Sequence, residues 1–475
     1  NVCAFDAVPA ATILFPFVSL DYNNPTGGVS TTFSITNVSA EAQIVHVTVW
    51  TDFSAAILDF NILLTGYDVI SMNIRDLLIN GQLPVTKYEA HSGSEGVSPN
   101  GPVSSGNQLN GSWVNPGMDL PAPTNTLGAR CDTTNSSYPG LYATPIPAGF
   151  LGLFQGYLQV SQTVDRLQSN DCVQSFADPY ALTPTPYWAE RDTTYPTWMY
   201  ITADVVENCN KLFPDSPGYF TGETRMDNVL IGDVFWTNTD DRYSEASNAV
   251  HLEASMYLDQ VATTTPDGWP ASFYHRYASD EDTSDYREPL PTAWAFRYIG
   301  AGLDNINTDI RVWKGSTLEN WTYDLERTGT VKVSPDSLVA SNCHAYTYYA
   351  WDEDEMVTTV TSVPWSMPGG ESVIPNLIPL ETQEIPIDQF DTPGAFGWML
   401  FVWPASNYFD AGTGLQDDFY QTWMGVRYNA QGAWSAAMDG AVMANFNCFS
   451  DQILPDLGIN YDYAGLGGYV VSPGN

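Results

Sequence analysis

Between residues 31 and 75 the chain repeats one pattern four times. TTFSITN, QIVHVTVW, AILDFNILL and YDVISMNIR each alternate apolar and polar residues with period two, and turn-rich breaks separate them. That period belongs to strands, because successive side chains leave a strand on opposite faces. Val45, Val47 and Val49 point one way and His46, Thr48 and Trp50 the other. The pattern predicts antiparallel strands with one face on a core and one on solvent. Phe33 and Ile35 are expected in the same core as the three valines. The opening ATILFPFV is apolar on both faces, as a strand covered on two sides would be. Two readings of it stand: pairing within its own chain, or completion by a neighbouring copy.

Strand signals recur at TWMYITADVV (197–206), NVLIGDVFW (228–236), NAVHLEASM (248–256), TDIRVWK (308–314), AYTYYAW (345–351), TQEIPI (382–387), GWMLFVW (397–403), TWMGVRY (422–428) and AWSAAMDGAVM (433–443). TNTDDRYSEAS reads as an acidic hairpin loop between two of them. Residues 148–169 carry Phe150, Leu151, Phe154, Tyr157 and Leu158 at helical spacing behind Pro147, which predicts one helix. The expectation is therefore an all-β protein: an antiparallel β-sandwich of Ig-like or jelly-roll type, with long loops and one helix near 148–169. Along the chain this gives N-terminal sandwich strands over 1–90 and a loop-rich excursion over 91–147. A larger β region over 148–475 packs on the first, with an intertwined unit as the other arrangement.

Charge limits the partners. Sixteen Lys and Arg face 55 Asp and Glu, a net charge of −39, and the acidity is spread along the chain. Such a surface repels nucleic acid and anionic membrane, since phosphate neutralisation needs Lys and Arg. Thr133 to Val164 is the longest uncharged run near the middle, and it is too polar and too interrupted by proline to span a bilayer. Cys3, Cys131, Cys172, Cys209, Cys343 and Cys448 show no CxxC spacing. An even set of widely spaced cysteines predicts three disulfides and an oxidising compartment. The N-terminal and C-terminal positions of Cys3 and Cys448 suggest a bridge between them. The start at Asn1 fits a mature exported chain from which a leader has been removed.

The segments ILFPFVSLDY, FSITN, HVTVWTD, LTGYD and NIRDLL, with REPLPTAW (287–294) and GWMLF (397–401) further on, resemble a group of uncharacterised exported bacterial proteins. The resemblance runs over most of the chain. It implies secretion and a β-rich fold, and it brings no activity and no catalytic residues.

Candidate chemistry rests mainly on carboxylates. Acidic pairs and runs occur at Asp240–Asp241, Asp352–Glu355 and Asp417–Asp418. The best candidate is Asp280, Glu281, Asp282 and Asp285, where four carboxylates in one loop offer oxygen ligands to Ca²⁺. No DxDxDG loop accompanies them, and in so acidic a chain clusters also arise by chance. His46 and His251 lie mid-strand, with Glu253 on the face of His251, so a His–His–Glu metal site across two strands is one reading. A hydrogen-bonded strand histidine is the plainer one. A glycosidase needs two carboxylates across a cleft with aromatics for sugar stacking, and the 15 Trp and 27 Tyr allow it. Sandwich core explains them equally. GxSxG, P-loop and dinucleotide fingerprints are absent from the sequence. Sequons stand at Asn37, Asn110, Asn135 and Asn320.

The expected function is a secreted, non-enzymatic structural or cell-surface protein. It would self-assemble into a homo-oligomer or polymer, a filament or a lattice. The alternative is a secreted carbohydrate-binding or glycoside-hydrolysing protein.

Overall fold

The computed structural model describes residues 8–52, 56–84, 196–207, 224–254, 293–300, 306–315, 344–354, 356–360, 362–367, 370–378, 381–403, 421–430 and 434–444. It adds Leu151, Pro214, Tyr219, Arg287, Leu290 and Pro291 singly. The chain is all-β, built of antiparallel sheets. The acidic run 280–285, all six cysteines, three of the four sequons and, apart from Leu151, the helix expected over 148–169 lie outside the described residues.

Four sheets form two sandwiches. Sheet I takes β1 (Thr12–Leu20), β3 (Gln43–Thr51), β4 (Ala56–Leu64), β6 (Thr197–Val206) and β9 (Val250–Leu252), in the order β4-β3-β6-β1-β9. Sheet II takes β2 (Val29–Asn37), β5 (Val69–Asn73), β7 (Leu230–Asn238) and β8 (Tyr243–Asn248), in the order β5-β2-β7-β8. Strands β6 to β9 thus return from beyond the loop-rich stretch into the sheets begun by β1 to β5. The second sandwich starts near residue 293. Sheet III is β11 (Ile306–Lys314), β16 (Thr382–Pro386), β18 (Thr422–Ala430) and β19 (Trp434–Asp439), in the order β16-β11-β18-β19. Sheet IV runs β14 (Ser362–Met367), β15 (Gly370–Ile378), β12 (His344–Asp352), β17 (Phe396–Val402), β10 (Ala293–Ile299) and β20 (Ala441–Ala444), with β13 (Val357–Val360) also on β12.

Within the first sandwich, the valine face of sheet I meets sheet II. Val45, Val47 and Val49 are fully buried in one cluster with Phe33 and Ile35, as the alternation predicts. Phe15 packs against Phe33 in a tilted pair with ring centroids 5.0 Å apart. A Cβ on Gly232 would lie 2.8 Å from Ile13, so the sheets approach there as only glycine permits. In the second sandwich, Trp294 Nε1 donates to Thr422 Oγ1 at 3.0 Å, and Thr308 Oγ1 accepts from Ile299 N at 2.9 Å, tying sheet IV to sheet III.

Two expectations are overturned, and for β1 one of the two open readings holds. First, β3 has no solvent face: His46, Thr48 and Trp50 are as buried as the valines, because sheet I is covered on both sides. Second, the segment read as an acidic loop contains β8, which pairs along β7. Strand β1 pairs within its own chain, with β6 on one edge and β9 on the other, so no second copy is needed to complete it. Two further elements escape period-two reading. The run NIR leaves β5 and enters α1 (Ile74–Leu78), whose N-cap Asn73 accepts a hydrogen bond from Arg75 N at 2.9 Å. AWSAAMDGAVM splits at Gly440 into β19 and β20, which belong to different sheets.

Candidate functional site

Alternation along β11 gives sheet III two unlike faces. Ile310 and Val312 turn toward sheet IV, while Asp309, Arg311 and Trp313 turn toward the first sandwich. Pairing with β16 and β18 sets Glu384 opposite Arg311 and Arg427 opposite Asp309. The result is a buried ionic seam where the two sandwiches meet. Arg311, 2 % exposed, donates from Nε to Glu384 Oε2 at 2.9 Å, and its Nη2 is bonded to Glu245 of β8. Arg427 Nη2 reaches Asp309 Oδ2 at 2.6 Å and Glu384 Oε1 at 2.9 Å, and its Nη1 donates to Tyr243 of β8 at 3.1 Å. Ser435 Oγ closes the far side on Glu245 Oε2 at 2.9 Å. The Arg311 guanidinium also lies over Trp236 and Phe17, with Cζ 4.3 Å and 4.8 Å from their ring centroids.

The electrostatics follow from that packing. Burial works against the charge of Arg311, yet Glu245 and Glu384 outweigh it and hold the guanidinium more firmly protonated than usual. Burial would likewise lift Glu384, but Arg427 and Arg311 bring its carboxyl below the ordinary range. Asp309 goes the other way: burial and the neighbouring Glu384 push it up despite Arg427. Two guanidinium groups serve three carboxylates, and each charge is held by its neighbours. What this arrangement supplies is cohesion between sheets, since both carboxylate-facing nitrogens of Arg311 and all three carboxylates are engaged in pairs.

A second buried polar set lies on the non-valine face of sheet I. Cross-strand register aligns Asn61, His46, Asp204 and Thr12 in one row. Arg287 caps the row, with Nη1 donating to Asp204 Oδ1 at 3.0 Å and to Thr12 Oγ1 at 2.9 Å. Tyr219 donates to the other Asp204 oxygen at 2.6 Å. His46 has Nδ1 3.0 Å from Asn61 Oδ1 and Nε2 3.5 Å from Asp59 Oδ2.

The other residues singled out in the sequence fall as follows. His251 lies on β9, three strands from β3, and accepts the Gly232 N–H on Nε2 at 3.1 Å, so it forms no site with His46. Burial lowers its pKa to about 4. Asn238 Oδ1 accepts from the backbone N–H groups of Asp240 and Asp241, and Asp352 Oδ1 accepts from those of Asp354 and Met356. These acidic runs shape turns. The Asn37 amide is buried and donates to Glu41 O at 2.7 Å and Thr65 O at 3.0 Å, which leaves its sequon no free acceptor. Among the described residues no three His, Cys, Asp or Glu side chains converge as a metal site, and no helix is long and apolar enough to cross a membrane.

Sequence reasoning missed the seam. Its signal was present as charged residues inside apolar strands, Asp309 and Arg311 in INTDIRVWK and Arg427 in TWMGVRYNA. A charge at an inward strand position asks for a partner on a facing sheet. No family model, no curated protein and no solved structure matches the chain.

Proposed function

We propose that this chain is a non-enzymatic structural protein of the exported, cell-surface or extracellular kind, and that it assembles with copies of itself. The observation that carries the reading is the seam. Five ionisable side chains converge there, and each bonds to another of them or to Tyr243, Asn429 or Ser435, binding one sandwich to the other. A catalytic cluster needs a polar atom aimed at a substrate, whereas a load-carrying one needs closed pairs. The reading extends to the sequence features beyond the seam. The six cysteines form disulfides in an oxidising compartment, and acidic loops such as 280–285 hold Ca²⁺.

The carbohydrate reading would draw on the outward face of sheet IV, where Trp351, Trp398 and Tyr349 cluster half-buried or buried. Trp351 and Trp398 lie face to face with centroids 3.9 Å apart, so they offer a sugar their edges more than their faces.

Electron microscopy of the full-length protein, concentrated with and without Ca²⁺, tests the structural reading. Ordered filaments or lattices are expected. Monodisperse particles of one chain under every condition would remove it.

A further inference from the structure

We infer that the outward face of sheet II is the surface on which a second copy of this chain docks. The inference rests on the self-assembly reading above and names its contact surface.

Alternation fixes which residues point out. Opposite the inward Phe33, Ile35, Val234 and Trp236, the four strands present a second set of side chains in register. Val69, Thr36 and Ile231 form one row. Ser71, Ser34, Asp233 and Asn248 form the next, and Asn73, Thr32, Phe235 and Ala246 the third. Across these rows Asp233 is the one charged residue, and Ser34 Oγ hydrogen-bonds to it at 3.4 Å. The chain as a whole carries −39, so two copies repel wherever their acidic surfaces meet. They approach at least cost where charge is missing, and contact centres are depleted in Asp and Glu for the same reason.

Exposed apolar side chains mark the same face. Val69 is 58 % and Phe235 42 % exposed. At its rim Tyr67 is 74 % exposed and sits at φ 60°, a left-handed conformation that a non-glycine residue adopts under constraint. The turn holds it there: Tyr67 N donates to Ser39 O at 2.9 Å, and Asp68 accepts from the Thr65 backbone and hydroxyl. Among the described residues, three of the six exposed large hydrophobic side chains therefore belong to this one sheet or its rim.

The occupant follows from chemistry and area. Serine and threonine hydroxyls both donate and accept, so a ladder of them is complementary to itself under a two-fold axis. An acidic partner would meet Asp233 as a like charge, and a basic one would find only that single carboxylate to pair with. Four strands at a spacing of about 4.8 Å and nine residues at about 3.4 Å give a face of about 19 by 30 Å. Two such faces bury at most about 1,100 Å², the small end of specific interfaces, which suits contacts multiplied along an assembly.

Sedimentation velocity on the full-length protein tests this, from ~0.15 M to ~1 M NaCl. Wild type should self-associate, more strongly at high salt because screening relaxes the repulsion between the two acidic chains. Phe235→Glu should weaken association at least about tenfold, a like charge facing its symmetry mate. Thr237→Glu, exposed on the same strand, repeats the test should Phe235→Glu melt below wild type. Phe396→Glu, at a ring equally exposed on the second sandwich, should change nothing. If wild type associates and neither sheet II variant weakens it, the docking face is wrong and the self-assembly reading stands. If wild type stays monomeric at every concentration and salt, both fall.

Discussion

Arg311→Met should be among the most damaging conservative-volume changes available in this protein. Methionine keeps much of the length and apolar contact with Trp236 and Phe17 but removes the cation. Glu245 then retains Ser435, and Glu384 retains Arg427, so two buried carboxylates each lose a guanidinium partner. Breaking a buried pair from one side costs about 3–5 kcal/mol, because the remaining charge stays desolvated. Loss of the cation over two rings adds about 1 kcal/mol, offset in part by sulfur–aromatic contact. A net loss of about 4 kcal/mol is expected. Arg311→Lys should lose about half of that, since one ammonium cannot bond two carboxylates in the fork that the guanidinium provides. Urea unfolding at neutral pH, followed by tryptophan fluorescence, reads the change, and the cycle with Glu245→Gln isolates the pair. The double variant should recover about 2 kcal/mol relative to additivity, because removing both partners leaves less charge stranded. An Arg311→Met variant within about 1 kcal/mol of wild type, or strictly additive single changes, would falsify the claim that the seam binds the sandwiches.

Gly397→Ala should cost about 3 kcal/mol or more, because the new Cβ would stand 1.7 Å from the backbone oxygen of Trp351 on the neighbouring strand; an unchanged urea midpoint would refute that packing. Acidification should weaken the fold through His251. Its folded pKa of about 4 lies below the ordinary 6.5, so the unfolded chain takes up a proton that the folded one refuses, and stability falls as pH drops from about 6.5 toward 4. The loss should be about 2 kcal/mol after allowance for partial solvation. His251→Gln, which can still accept the Gly232 N–H, should flatten the stability profile in that window, and an identical slope in both proteins would count against the assignment. Expression in a glycosylating host should leave Asn37 unmodified by peptide mass spectrometry, since both amide hydrogens are engaged inside; a glycan there would show that the site opens. Val47→Asp should prevent recovery of folded protein, as an unpaired charge in the valine core has no partner; a soluble variant with wild-type melting would refute the register.

The sequence by itself determined the strands and their valine face. Residues 43–50 and 56–64 read as strands from period two alone, because alternation is a local property of a pleated backbone and needs no partner to be seen. It also determined that β1 is covered on two sides, since TILFPFVSL carries no polar stripe to give to water. What covers it was decided only in three dimensions. A strand's own residues do not say whether its second neighbour comes from its own chain, and β9, which fills that edge, is three residues long and about 240 positions away. The second face of β3 was misread for the same reason. His46 and Trp50 carry polar atoms that solvent would satisfy, but Asn61, Asp59 and Thr202 on adjacent strands lie beside them instead, so a polar face became an interior one. The ionic seam depends most on the tertiary structure. Asp309, Arg311, Glu384 and Arg427 are unremarkable as single letters in an acidic chain. Only the register of β16 and β18 on β11, with β8 lying across them, brings opposite charges within hydrogen-bond reach in a space closed to water.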